Sequence, residues 1–145
     1  MNIVISIDPG ISKCGLTVAD IKENKVYEAI VVKSSLLLEY VKKICKEEYD
    51  TKILIGNGTS SKNFIKSLNQ FYPNVIVVEE KNSTYRAKER YFDIFPLSGI
   101  KCFLPREIFI LNKNLDALAA LIILEDYYEN KFDVSNITGI KTWLK

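Results

Sequence analysis

The chain has no histidine among its 145 residues, and this absence excludes several classes of active site. A Ser-His-Asp or Cys-His arrangement needs an imidazole base, and zincin-type proteases need imidazole ligands for their zinc. Chemistry in this protein must therefore depend on carboxylates, lysines, tyrosines, hydroxyl groups or a bound cation.

Cysteine is also scarce, and its three residues form no CxxC pair: Cys14, Cys45 and Cys102. An odd number of widely spaced cysteines predicts reduced thiols rather than disulfides or a thiolate zinc site. Long hydrophobic runs are missing as well, because the apolar stretch at 117–124 is far too short to cross a bilayer. No signal peptide is recognised at the start. We therefore expect a cytoplasmic protein with no membrane partner.

Charge of either sign is not in large excess, since the net charge is +2. This value neither demands nor excludes a nucleic-acid partner, and any basic surface would have to come from local clustering. Hydrophobic residues make up 48% of the chain and charged residues 26%. That balance, at this length, predicts a single globular domain over residues 1–145.

Hydrophobic periodicity divides the chain into strand and helix segments. The predicted strands are at 3–7, 14–19, 26–33, 52–56 and 75–78, and the predicted helices at 37–45, 64–72, 85–95 and 115–129. Short polar turns between the first three strands predict an antiparallel meander, whereas the helices before the two later strands favour parallel crossovers. The predicted fold class is α/β, with a mixed five-stranded sheet and helices packed on its faces.

Acidic residues follow the strands that such a topology brings to one edge. Asp8 ends the first strand, Glu79 and Glu80 follow the fifth, and Asp116 comes at the start of the last helix, which is apolar nearly all round. Open α/β sheets bind ligands at the edge where their parallel strands end. If the first and fifth strands are parallel, Asp8 and the Glu79-Glu80 pair lie at the same edge, and a buried helix with a fixed position against the sheet would make Asp116 a well-placed ligand.

Two interpretations of these acids remain open on the residues alone. Asp8 could serve as a turn residue, and Asp116 could stabilise the helix dipole by about 0.3–1 kcal/mol. Alternatively, the carboxylates surround a cation, because three acids repel one another without one. Oxygen ligands without histidine or thiolate suit Mg²⁺ or Mn²⁺.

Three motifs in this order resemble the RuvC/YqgF branch of the RNase H-like nucleases. They are strand-IDPG-strand around Asp8, VVEEKNST at 77–84 and LDALAALIILEDYYE at 115–129, and the GNGTSS loop at 56–61 also looks like a family loop. The match covers about residues 3–128 and is closest to YqgF-type Holliday junction resolvases, also described as pre-16S rRNA processing nucleases. It implies an RNase H-like fold and an endonuclease dependent on Mg²⁺ or Mn²⁺. The implied partner is branched DNA or precursor rRNA, and a symmetric junction would favour a homodimer.

Carried over residue by residue, the resemblance assigns catalysis and metal ligation to Asp8, Glu80 and Asp116. Glu79 is the less favoured alternative to its neighbour Glu80. Phosphate contacts are expected from cationic residues in and around the third helix and in the loop at 96–114. These residues are Lys81, Arg86, Lys88, Arg90, Lys101 and Arg106.

Two departures from RuvC itself favour the YqgF type and leave fewer ligands for a second metal. The chain has Asn57-Gly58 where RuvC has a glutamate, and Ala119-Ala120 where RuvC has a second acid. A thin ligand set keeps a second class open, an inactive RNase H-like module that serves in ribosome assembly or transcription. A sugar kinase or actin-like ATPase ranks low, because those folds need two domains and a second Asp-Gly phosphate motif.

Overall fold

The computed structural model describes residues 2–45, 51–80, 83–106 and 112–143, which form a mixed sheet with α-helices on both faces. The elements are, in chain order, β1 (Ile3–Asp8), β2 (Lys13–Asp20), β3 (Lys25–Lys33), α1 (Leu37–Ile44), β4 (Lys52–Gly56), α2 (Ser61–Asn69), β5 (Val75–Val78), α3 (Ser83–Ile94), α4 (Asn112–Tyr128) and β6 (Lys141–Trp143). The α/β class and the order of the first nine elements agree with the prediction.

The sheet has the strand order β5-β4-β1-β2-β3-β6. β1, β2 and β3 pair antiparallel, while β4 pairs parallel with β1 and β5 parallel with β4. Both the predicted meander and the predicted parallel crossovers are therefore confirmed. The carboxyl ends of β1, β4 and β5 consequently lie along one edge of the sheet.

The predicted strand count of five is wrong, because the described residues form a sheet of six strands. β6 pairs parallel with β3, from Ile30 opposite Lys141 to Val32 opposite Trp143. The Nζ atom of Lys141 also donates to Oε1 of Glu28 on β3 at 2.8 Å. A strand of three residues has too few positions to show a period, so its existence depends on a partner far away in the sequence.

Alternating residues of β1 face different layers of the fold. Ile5 and Ile7 pack with residues of α1 and α2, whereas Val4 packs in the core on the other side, with α3 and α4. Because the side-chain period of a strand is two, Asp8 shares the face of Val4. The strand therefore directs its terminal carboxylate toward the α4 layer.

α4 packs directly on β2, and its residues 117–124 are all buried, as the apolar sequence predicts. Thr17 donates a hydrogen bond from Oγ1 to the carbonyl oxygen of Ala117 at 3.1 Å. A Cβ atom on Gly15 would lie 1.6 Å from the carbonyl oxygen of Asp116, so this close approach requires a glycine on β2. In the described residues, no helix is long and apolar enough to cross a membrane.

The observed start of α4 differs from the predicted one. α4 begins at Asn112 rather than at Leu115, which places Asp116 in the second turn instead of the first. A carboxylate one turn inside the helix gains little from the helix dipole, since that effect is confined to the first turn. The helix-dipole interpretation of Asp116 therefore loses its basis.

Candidate active site

Three carboxylates from three separate elements come together at the edge where β1, β4 and β5 end. Asp8 is the last residue of β1, Glu80 follows β5, and Asp116 lies on α4. Burial raises the pKa of Asp8 from 3.8 to about 7, and the nearby charges of Glu80 and then Asp116 add to the shift. Asp8 is thus the centre of the group, with the other two acids as its electrostatic neighbours.

Glu80 lies over the end of β4, because Gly56 leaves room for it. A Cβ atom on Gly56 would lie 1.8 Å from Oε1 of Glu80. Asn57 fixes the backbone there, since its N–H donates to the carbonyl oxygen of Val78 and its Oδ1 accepts from the N–H of Glu80, each at 3.0 Å. Burial raises the pKa of the Glu80 carboxyl. The neighbouring Glu79 is exposed.

Asp116 contacts a lysine that the sequence motifs did not single out. Its Oδ2 atom lies 3.0 Å from Nζ of Lys13, the first residue of β2. The two groups form an ion pair, but their geometry does not meet the angles of a hydrogen bond. The Oδ2 atom is therefore buried without a hydrogen-bond donor in the described part of the chain. Lys13 therefore brings a positive charge into the carboxylate group.

The turn between β1 and β2 is held by Ser34, which directly follows β3. The hydroxyl of Ser34 donates to the carbonyl oxygen of Gly10 at 2.8 Å, and its N–H donates to that of Ser12 at 3.0 Å. These two bonds fix the loop that joins Asp8 to Lys13. No local pattern in the sequence reveals this role, because the bonded residues are far apart along the chain.

The donor chemistry of the group fits a hard divalent cation. Its ligands would be carboxylate oxygens alone, and buried oxygens of Glu80 and Asp116 lack hydrogen-bond donors within the described residues. Yet across the parts of the chain that the structure describes, no three Asp, Glu, Cys or His side chains lie close enough together to hold one metal ion. A cation would have to draw Asp8, Glu80 and Asp116 closer than they lie here.

Arg90 does not lie on the surface, where a phosphate contact would require it. It is 8% exposed, and its Nη2 donates to Oε1 of the buried Glu125 at 3.0 Å and to the carbonyl oxygen of Phe132 at 2.5 Å. Its Nη1 pairs with Asp93 at 2.7 Å. This guanidinium joins α3 to α4 and to the segment after it, and we leave it out of any nucleic-acid surface.

The other cationic candidates differ in exposure and in whether they are already paired with an acid. Lys88 and Lys101 are exposed, and Arg106 is exposed with its guanidinium carbon 5.3 Å from the centre of the Phe92 ring. Arg86 is paired with Asp126. Lys81 lies outside the described residues.

Comparisons with known proteins support the fold. No protein-family model matches the sequence, and no curated protein matches it. RuvC of T. thermophilus in complex with a Holliday junction substrate is similar in structure, with a TM-score of 0.51 and 17% identity over 89% of this chain and 96% of that one. A second Thermus thermophilus RuvC structure gives a TM-score of 0.51 and 15% identity over 88% of this chain and 95% of that one. The chain thus has an α/β fold similar to the RNase H-like fold of RuvC.

Proposed function

We propose that this protein is a metal-dependent endonuclease that hydrolyses phosphodiester bonds in structured nucleic acid. The observation that carries the proposal is the position of Asp8 beside Glu80 and Asp116. Burial and the charges of these two acids raise the pKa of Asp8 to about 7. Such a group of acids, without histidine, is suited to Mg²⁺ or Mn²⁺. The similar RuvC structure is bound to a Holliday junction, which makes branched DNA a natural substrate to test.

In this proposal the carboxylates of Asp8, Glu80 and Asp116 hold the cation. When bound there, Mg²⁺ or Mn²⁺ would activate a water molecule for attack and stabilise charge on the leaving oxygen. The chain contributes fixed positions: the turn held by Ser34 orients Asp8, Asn57 orients the backbone of Glu80, and the buried α4 orients Asp116.

Exposed cations would bind the phosphates of the substrate. Lys88, Lys101 and Arg106 are suited to this role because they are exposed, and phosphate contacts position a nucleic acid without reading its sequence. Lys81 remains in the proposal on the sequence pattern alone, and Arg86 would have to leave Asp126 to take part.

We further propose that the ligand set is of the YqgF type rather than that of RuvC. Where the resemblance puts a RuvC glutamate, this chain has Asn57, whose amide oxygen accepts from the backbone of Glu80. Because the YqgF type is also described as processing precursor rRNA, this RNA is a second substrate to test. We propose that the protein acts in the cytoplasm. A homodimer would suit a symmetric DNA junction, whereas a single copy would suffice for RNA.

A second candidate function is a nucleic-acid-binding module without catalysis. The observation that favours it is the spacing of the acids, since within the described ranges no three potential ligands lie close enough to hold a metal ion. Lys13 beside Asp116 partly neutralises the group without any metal.

One assay separates the two functions. Labelled four-way DNA junctions and structured precursor RNA are incubated with the protein in Mg²⁺, in Mn²⁺ and in EDTA, beside the Asp8→Asn variant purified in the same way. We expect cleavage in either metal, none in EDTA and none by the variant. Equal cleavage by Asp8→Asn would refute the site assignment, whereas binding of either substrate without cleavage would favour the inactive module.

A further inference from the structure

Among the residues that the structure describes, Lys13 is the one that forms an ion pair with a carboxylate of the candidate active site. Its Nζ atom lies 3.0 Å from Oδ2 of Asp116, and in the described part of the chain no other ion pair reaches Asp8, Glu80 or Asp116. The side chains of Lys13 and Asp116 are 39% and 30% exposed, although the Oδ2 atom that faces the ammonium group is itself buried. An exposed pair of this kind makes a small but measurable contribution to the stability of a fold.

The backbone of Lys13 is held in the sheet, while its side chain is partly exposed and reaches Asp116. Lys13 pairs with Lys33 of β3, whereas the pairing of β2 with β1 ends at Gly15. The turn before Lys13 is hydrogen-bonded to Ser34. A four-carbon stem carries its ammonium group to Asp116. Lysine suits a reversible contact, because its charge is compact, strongly hydrated and on a flexible stem.

We propose that Lys13 is an internal counter-ion that competes with a divalent cation for Asp116 and so sets the metal affinity of the site. The proposal rests on the proposed function, since it takes the three carboxylates as the metal site. Lys13 thereby acts on metal binding through Asp116, as a positioning residue.

A consequence follows for the substrate. Once released from Asp116, the ammonium group of Lys13 remains at the rim of the site, because its backbone is fixed next to the loop after Asp8. It is then available to a phosphate oxygen of the nucleic acid. The same lysine would lower metal affinity in the free protein and support phosphate binding in the complex.

The test is the affinity of the full chain for Mn²⁺, measured by titration calorimetry without substrate. Lys13→Met removes the charge and keeps most of the stem, Lys13→Arg keeps a charge, and Lys22→Met is the matched control. Lys22 is an exposed lysine in the turn at the other end of β2, and its loss changes the net charge equally. We expect Lys13→Met to bind Mn²⁺ roughly fivefold more tightly or better, the effect of one charge about 4 Å away in water. Lys22→Met and Lys13→Arg should bind like the parent protein.

A metal-free measurement tests the ion pair separately. In EDTA, thermal unfolding of Lys13→Met, Asp116→Asn and the double variant forms a cycle in which the two changes should be non-additive. Unchanged Mn²⁺ affinity in Lys13→Met would overturn the competition and leave the metal site intact. If no variant bound Mn²⁺ at all, the metal site and the proposed function would fail, and the competition with them. Additive effects in EDTA would show that Lys13 does not hold Asp116, which also overturns the proposal.

Discussion

A Cβ atom on Gly56 would lie 1.8 Å from Oε1 of Glu80, which means that the glutamate carboxylate fills the space of a missing side chain at the end of β4. The carboxyl carbon of Glu80 is 2.7 Å from the same point. Even the smallest side chain at residue 56 would therefore displace the carboxylate. Gly56 belongs to the candidate active site because of the volume that it leaves open.

Gly56→Ala should reduce cleavage by about a hundredfold, since a displacement of about 1 Å at a reacting group has effects of that size. The fold should persist, because the displaced group is the end of a flexible side chain. Gly58→Ala is the matched control, as its Cβ would lie 3.4 Å from Oε1 of Glu80, an ordinary contact. Parent-like cleavage by Gly56→Ala, measured beside a circular dichroism spectrum, would contradict the placement of Glu80.

Asp8→Asn should stabilise the metal-free protein at pH 8 while abolishing cleavage. The pKa of Asp8 is about 7 in the folded protein against an ordinary value of 3.8, so the folded state binds more protons than the unfolded state between these values. Stability from this group therefore falls as pH rises from about 4 through 7. We expect a gain of about 1–3 kcal/mol for Asp8→Asn over the parent at pH 8, allowing for partial exposure of the group.

Urea unfolding in EDTA at pH 4 and pH 8 measures this difference. The gain should be close to zero at pH 4, where the Asp8 carboxyl is protonated in the folded protein. A constant difference between the two proteins at both pH values would show that Asp8 does not carry the raised pKa.

Glu80→Gln should remove metal-dependent cleavage, whereas Glu79→Gln should leave it within about twofold of the parent. Glu80 lies over Gly56 beside Asp8, while Glu79 is exposed one position earlier. Glu→Gln keeps the size and length of the side chain but removes its negative charge, so a loss of cleavage indicates that the charge is required. Loss of cleavage in the Glu79 variant with retention in the Glu80 variant would reverse the assignment.

Arg90→Met should lower the stability of the protein, whereas Lys88→Met should weaken nucleic-acid binding and leave stability unchanged. Arg90→Met leaves Glu125 buried without its guanidinium partner, which costs about 3–5 kcal/mol in such pairs. Lys88 is exposed, so its loss should leave the unfolding midpoint unchanged and reduce the salt dependence of junction binding by about one counterion. A stable Arg90→Met protein with weakened binding would return Arg90 to the nucleic-acid surface.

Most of the sheet could be predicted because its strands follow local rules. β-Branched runs that end in turn residues mark β1 to β5, and the helices before β4 and β5 predict parallel pairing. That topology brings Asp8 and Glu80 to one edge, and the packing of α4 on β2 adds Asp116. β6 could not be predicted, because three residues form a strand there only through the neighbouring β3.

The parts of the site that the sequence did not reveal are contacts between distant segments. Lys13, Asn57 and Ser34 act through Asp116, Glu80 and the β1–β2 turn, and none of these pairs follows a local spacing. Each contact joins segments that are well separated along the chain. Arg90 was expected on the surface for the same reason, since its position on α3 does not show that Glu125 of α4 lies opposite.

The docking of α4 on β2 also has a consequence for the timing of activity. A growing chain leaves the ribosome from its N-terminus, so β1 and β2 are complete well before α4 exists. Until α4 rests on Thr17 and Gly15, Asp8 has no Asp116 beside it and the carboxylate group is incomplete. A nuclease of the proposed kind would therefore acquire its cutting ability only after α4 has been synthesised and has packed on β2.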